Sequence, residues 1–137
     1  MLNSPPELKD SFKYYYKTKK SINPKDSIGF NGRIYLLVDK GVYSSSEMFA
    51  VFSKNTGFAT LIGETTGGDG IATNPLLCVL PNSGYIFRFS VVMGLNHDGT
   101  CNEEFKTRPD IEVDAKKRIP LSYDSAIQKV IEIENTK

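Results

Sequence analysis

Two short apolar runs, Ile34-Tyr35-Leu36-Leu37-Val38 and Phe58-Ala59-Thr60-Leu61-Ile62, bracket a segment of helical periodicity, and this arrangement restricts the fold more than any other feature of the chain. Runs of five residues are too short for a buried helix but suit a strand covered on both faces. Between the runs, Ser44 to about Asn55 carries Met48, Phe49, Val51 and Phe52 at helical spacing, and Gly57 supplies a stop. Strand, helix and strand over this length predict a βαβ unit with a right-handed crossover and a parallel strand pair.

The remaining elements follow from turn chemistry. Residues 1–31 are a polar lead-in whose bulky cluster is Phe12 with Tyr14-Tyr15-Tyr16, with at most a short helix near Pro6–Lys17 ending at Asn23-Pro24. Residues 32–137 form the folded unit. After the second strand comes a glycine-rich loop, Gly63-Glu64-Thr65-Thr66-Gly67-Gly68-Asp69-Gly70. Leu76–Leu80 and Tyr85–Met93 then flank Pro81-Asn82-Ser83-Gly84, which predicts a β-hairpin. Asn96–Arg108 is a polar loop, Pro109–Val113 a short extended piece, and Ser122 to Ile133 a helix with Ile127, Val130 and Ile131 on one face. The fold class is therefore α/β, a βαβ core with a hairpin and a C-terminal helix.

Composition excludes several functions. With 137 residues there is room for one real core, on the small side for a complete enzyme. A net charge of +1, without a long block of one sign, gives no footprint for nucleic acid or an anionic membrane. No run approaches the roughly 20 apolar residues of a membrane span, and Met1–Pro6 lacks the basic and apolar regions of a signal peptide. Cys78 and Cys101 have no metal-ligand spacing, and neither do His97 and Asp98, so no metal is expected. Cys78, inside Leu76–Leu80, reads as a buried thiol, and a disulfide with Cys101 stays open as the alternative. The glycine loop lacks both the lysine-serine/threonine ending of a P-loop and dinucleotide-site spacing, so no cofactor is expected.

The chemistry sits where the first strand meets the helix. Ser44-Ser45-Ser46-Glu47 fits a capping box, with Ser44 as N-cap and Glu47 reaching back from the third helical position. The same serine could instead be a nucleophile, because the first N–H groups of a helix are unsatisfied and suited to a developing oxyanion. If so, the N–H of Ser45 is the donor. Parallel sheets gather sites at the carboxyl ends of their strands, which brings the glycine loop to the same edge. Gly67 and Gly68 would let a peptide backbone approach closely.

Three segments in order carry a resemblance: Tyr43-Ser44-Ser45-Ser46-Glu47-Met48-Phe49-Ala50, Gly63-Glu64-Thr65-Thr66-Gly67-Gly68, and Pro109-Asp110-Ile111-Glu112-Val113. Together they resemble the catalytic half of the C-terminal-processing (tail-specific) serine peptidases, in the tricorn-core-like branch, over roughly residues 30 to 134. The resemblance implies a partial crotonase/Clp-protease-like spiral fold, Ser44 as nucleophile, Ser45 as one oxyanion donor, and peptide or protein as substrate. Many members place a lysine base in the glycine loop; this chain has Gly68-Asp69-Gly70 there, and an aspartate cannot replace it. In the tricorn-like branch a histidine upstream of the nucleophile is the base and a downstream glutamate orients it. Glu103 is the match to that acid, with Glu104 as the alternative. The single histidine, His97, follows Ser44 and reads as a surface turn residue.

The resemblance thus implies a C-terminal half of a peptidase domain whose base lies upstream in a parent protein, nearly inactive alone. It leaves sheet edges and apolar faces open to self-association. The alternative is a non-catalytic peptide-binding or scaffold relative, which Asp69 favours. Compartment is left open.

Overall fold

A computed structural model describes residues 17, 21, 23, 25–26, 29–69, 71–72, 74–114 and 120–136. The helix expected near Pro6–Lys17 and the lead-in aromatics lie outside these residues. Both apolar runs form strands, β1 (Tyr35–Val38) and β2 (Thr60–Gly63), joined by helix α1 (Ser45–Thr56). They pair in parallel with Tyr35 opposite Thr60 and Val38 opposite Gly63. A third parallel strand, β5 (Ile111–Glu112), joins the other side of β2, giving the order β1-β2-β5. The central strand is the best covered: Leu61 and Ile62 are fully buried. Among the described residues β1 is an open edge, and there Leu37 is 40% exposed rather than covered on both faces as its apolar run suggested.

Asp110 explains why Pro109–Val113 lies where it does. Its carboxylate accepts the N–H of Leu61 at 2.8 Å and pairs with Lys54 of α1 at 3.2 Å. Its own N–H donates to the Leu61 carbonyl at 2.8 Å, so one residue ties β5 to β2 and to the helix above.

α1 closes at Gly57, where the N–H of Phe58 reaches the Ser53 carbonyl at 3.0 Å in a Schellman pattern. The helix does not bury its aromatic side. Glu47, Ala50 and Ser53 face inward, while Met48, Phe49 and Phe52 are about half exposed. Phe49, Phe52 and Phe58 instead cluster on the outside, with ring centroids 5.7–6.3 Å apart. The small core is Val38, Ala50 and Leu61, with Leu36 and Val42 packed on it.

The hairpin forms as its turn chemistry predicts. β3 (Leu76–Val79) and β4 (Ile86–Phe89) pair antiparallel with Val79 opposite Ile86, around Gly84 at φ 71°. It stands apart from the main sheet, and Leu77, Tyr85 and Ile86 are largely exposed. This is why Cys78 is only half-buried; Cys101 is the buried thiol, and both cysteines are free. Within the expected polar loop, Asn102–Phe105 forms a single helical turn, α2.

The last helix, α3 (Ser125–Asn135), follows a 3-10 turn at Leu121–Tyr123. Its N-cap is Asp124, whose carboxylate accepts the N–H groups of Ala126 at 2.9 Å and Ile127 at 3.1 Å. The other end is moored to β1: Glu134 pairs with Arg33 at 2.7 Å and accepts the Tyr35 hydroxyl at 2.5 Å. That bond to a carboxylate raises the Tyr35 phenol above its ordinary range. Asp124→Ala removes an acceptor for two orphan helix donors. It is expected to cost about 1 kcal/mol, read as a fall of a few degrees in the thermal unfolding midpoint. An unchanged midpoint would mean that α3 does not depend on this cap.

Candidate active site

Ser44 stands between the end of β1 and the first turn of α1 with φ 57° and ψ −128°. For a residue with a Cβ this is a strained conformation, that of the first central residue in a type II′ turn, where glycine is the usual occupant. Such strain costs on the order of 1–3 kcal/mol and persists only where the surroundings fix it. Here they do. The Ser44 N–H donates to the Asp69 carbonyl at 3.2 Å, and its own carbonyl accepts the Met48 N–H at 3.0 Å.

The capping box does not form. The Ser44 side chain makes no cap hydrogen bond, and Glu47 turns inward instead of back toward the Ser44 N–H. Among the described residues the hydroxyl has no hydrogen-bond partner, and the residue is exposed. Beside it, the N–H groups of Ser45, Ser46 and Glu47 precede the first intrahelical bond, which is donated by Met48.

The glycine loop runs parallel to this junction. Tyr43 bridges to Gly68, and the Gly67 N–H donates to the Val42 carbonyl at 2.7 Å. Gly68 lies under the α2 turn so closely that a Cβ there would stand 2.9 Å from the Asn102 carbonyl and 3.6 Å from the Glu103 Cα. With φ at 82°, the position suits glycine on both grounds. Asp69, which follows at φ 57°, contributes its carbonyl rather than its side chain to the Ser44 N–H.

Ser44, Ser45, Gly67, Gly68 and the backbone of Glu103 are thus drawn into one corner of the molecule. Glu103 and Glu104 are both exposed in the first turn of α2. His97 is exposed in the turn Asn96–Thr100, as expected of a surface turn residue. Within that turn the Thr100 hydroxyl and N–H both donate to Asp98, holding its carboxyl below the ordinary range.

The residues that the sequence did not reveal are those beneath this corner. Glu47 is fully buried, and its Oε1 accepts from Asn102 Nδ2 at 2.9 Å and from Thr107 Oγ1 at 2.6 Å. Thr107 is joined to Thr66 of the glycine loop by two bonds: its N–H donates to Thr66 Oγ1 at 2.9 Å, and its carbonyl accepts the Thr66 N–H at 3.0 Å. The serine-x-x-glutamate spacing that signalled a cap was the visible trace of this buried link. Next to the helix start, an apolar cavity of about 420 Å³ opens along β1, lined by Leu36, Leu37, Val38, Val42, Ser45, Ser46 and Phe49. Among the described residues no helix is long and apolar enough to cross a membrane.

Comparison with known proteins places this arrangement. A protein from Parabacteroides merdae described as a candidate peptidase is similar over 82% of this chain, with 25% identity and a TM-score of 0.66. Tricorn protease is similar over 88% of the chain, with 20% identity and a TM-score of 0.58. Mature CPAF complexed with lactacystin is similar over 66%, with 22% identity and a TM-score of 0.57. The chain spans 35%, 13% and 17% of the length of these three proteins. No curated protein matches it. The model for peptidase family S41 matches residues 4–113, the stretch that holds the serine junction, the glycine loop, the α2 turn and β5. The chain belongs to peptidase family S41.

Proposed function

We propose that this chain is the nucleophile-bearing part of a serine-type endopeptidase domain, a partial crotonase/Clp-protease-like spiral fold within residues 32–137. Ser44 gives its proton to a general base and attacks the peptide carbonyl, with the Ser45 N–H donating to the oxyanion; the C–N bond breaks as the amine leaves with that proton, and water then hydrolyses the acyl-enzyme. Glu103 orients a general base, which is supplied by a segment of the parent protein upstream of this chain. The observation that carries this reading is the strained backbone at Ser44, with its hydroxyl spared from capping at the head of a 12-residue helix. Active-site serines on sharp strand-to-helix turns share that combination of strain and exposure. Gly67 and Gly68 admit the substrate backbone. The open edge of β1 offers a place for the peptide to add as an extended strand, with the apolar cavity beside it.

The chain's one histidine is placed in the Asn96–Thr100 turn, and Asp69 occupies the place of a lysine base. The isolated 137 residues are therefore expected to react with a fluorophosphonate probe no faster than an ordinary serine, about 10³-fold or more below an activated one. A longer protein that carries the upstream segment is expected to label quickly. Rapid labelling of the isolated chain would overturn the assignment of the base to an upstream segment. Failure of the longer protein to label would favour the second reading, a non-catalytic peptide-binding relative, for which Asp69 is the supporting feature. The exposed edge of β1 and the Phe49–Phe52–Phe58 cluster make self-association of the isolated chain part of this proposal.

A further inference from the structure

Glu47 touches none of the groups assigned to the reaction, yet it joins the three segments that carry them. It lies three residues after Ser44. Its partner Asn102 immediately precedes Glu103, and Thr66, reached through Thr107, immediately precedes Gly67 and Gly68. Glu47, Asn102, Thr66 and Thr107 are all between 0% and 5% exposed, so the network is shut off from bulk solvent.

Packing alone is a poor reason for a carboxylate here. Burying one is costly, and an apolar side chain of similar volume often does as well or better for stability. The cost is aggravated because Glu47 Oε2 has no hydrogen-bond partner among the described residues. A capping duty is also ruled out by geometry, since the Ser44 N–H is taken by Asp69. What remains is an acceptor on α1 that both ends of the 102–107 stretch must find together, with Thr66 of the glycine loop held to that stretch through Thr107. Both bonds converge on a single oxygen, so Asn102 and Thr107 are fixed relative to each other and to α1.

We propose that Glu47 is a positioning residue: it locks the helix that carries Ser44, the glycine loop and the turn that carries Glu103 into one register. This rests on the reading of Ser44 as nucleophile, but its structural part can be tested without that reading.

The test uses the 137-residue chain in two arms. In the first, amide hydrogen exchange is followed by NMR in Glu47→Leu, Glu47→Gln and Thr107→Val. Leu removes the acceptor, whereas Gln keeps an oxygen for it. In Glu47→Leu, the amides of Thr66, Gly67 and Lys106 are expected to exchange at least about tenfold faster, while those of Thr60 and Asp110 in the sheet hold their rates. Gln is expected to restore protection, and Thr107→Val to show a milder form of the same pattern. Thr107→Val also supplies the answer if Glu47→Leu fails to fold. Equal acceleration at all five amides, or no better protection in Gln than in Leu, would overturn the proposal.

The second arm places a thiol at the junction, as Ser44→Cys with Cys78→Ser, and measures its alkylation by iodoacetamide. Held at the helix start, this thiol is expected to react about fivefold or more faster at neutral pH than with Glu47→Leu added, and Gln is expected to restore the rate. Gln removes the same ionisable group as Leu but keeps an oxygen, so a fall seen with Leu and not with Gln reports position. An unchanged rate in a folded Glu47→Leu chain would overturn the proposal. A junction thiol that reacts no faster than an unfolded-chain thiol, with the exchange pattern intact, would instead count against Ser44 as the activated position.

Discussion

If Ser44 is the nucleophile, as proposed, Ser44→Ala is expected to abolish peptide hydrolysis by a longer protein that carries the upstream segment, with a loss on the order of 10⁴–10⁶-fold in kcat. On the proposed reading Ser45 contributes its backbone N–H and Ser46 has no side-chain role, so Ser45→Ala and Ser46→Ala are expected to stay within about fivefold of the parent. The backbone supplies a second readout. Ser44 holds φ 57° and ψ −128°, which alanine tolerates no better than serine but glycine accepts readily. Ser44→Gly is thus expected to be equally inactive yet more stable than Ser44→Ala by about 1 kcal/mol, measured by urea denaturation. Equal stability of the two variants would mean that the junction stores no strain. Activity retained in Ser44→Ala would remove the serine from the mechanism.

Gly63→Ala is expected to cost more than about 4 kcal/mol, close to the whole stability of a small domain, commonly about 5–15 kcal/mol. Gly63 ends β2 directly opposite Val38, at φ 136°. A Cβ there would stand 1.9 Å from the Val38 carbonyl oxygen and 3.0 Å from its carbon. Neither side can give way cheaply. The Val38 carbonyl accepts the Glu64 N–H at 2.9 Å, and the Gly63 carbonyl accepts the Val113 N–H at 2.8 Å, which closes the sheet on both flanks. Circular dichroism on heating should show no cooperative transition for this variant. Gly84→Ala is the control: its φ is 71°, but nothing lies within 4 Å of the added carbon, so only about 1 kcal/mol is expected to be lost. A Gly63→Ala chain within about 1 kcal/mol of the parent would contradict this close approach of β1 and β2. The contact bears on the site because it fixes where the glycine loop departs, and hence how Gly67 and Asp69 meet Val42 and Ser44.

The βαβ core and the hairpin are legible because their signals are local: two apolar runs of strand length, a helical period between them, and a turn with glycine at its end. Which side of α1 is buried is not legible in that way. Periodicity identifies an amphipathic helix but not the surface it meets, and the sheet here accepts Ala50 and Ser53 while the phenylalanines pack on one another outside. The one-turn helix α2 reads as loop because four residues carry no period. The cap of α3 does have a local signal, since aspartate before an apolar-periodic run, here Asp124, marks a helix start.

The site is legible as a motif, but not in the role of its glutamate. Ser44-x-x-Glu47 has the spacing of a capping box, and nothing local distinguishes a glutamate that turns back from one that turns inward. The difference comes from Asn102 and Thr107, more than fifty residues away, whose donors draw the carboxylate into the interior. Glu103 could be proposed only through resemblance. The close contact of its backbone with Gly68 places it near the junction, while its side chain is exposed.

The most direct test is to find the atom that a fluorophosphonate modifies. The complete peptidase would be labelled, digested and sequenced by tandem mass spectrometry through Tyr43–Met48. The account predicts a single adduct on Ser44, absent from Ser44→Ala. An adduct on Ser45, on Ser46 or elsewhere in the chain, persisting in Ser44→Ala, would contradict it.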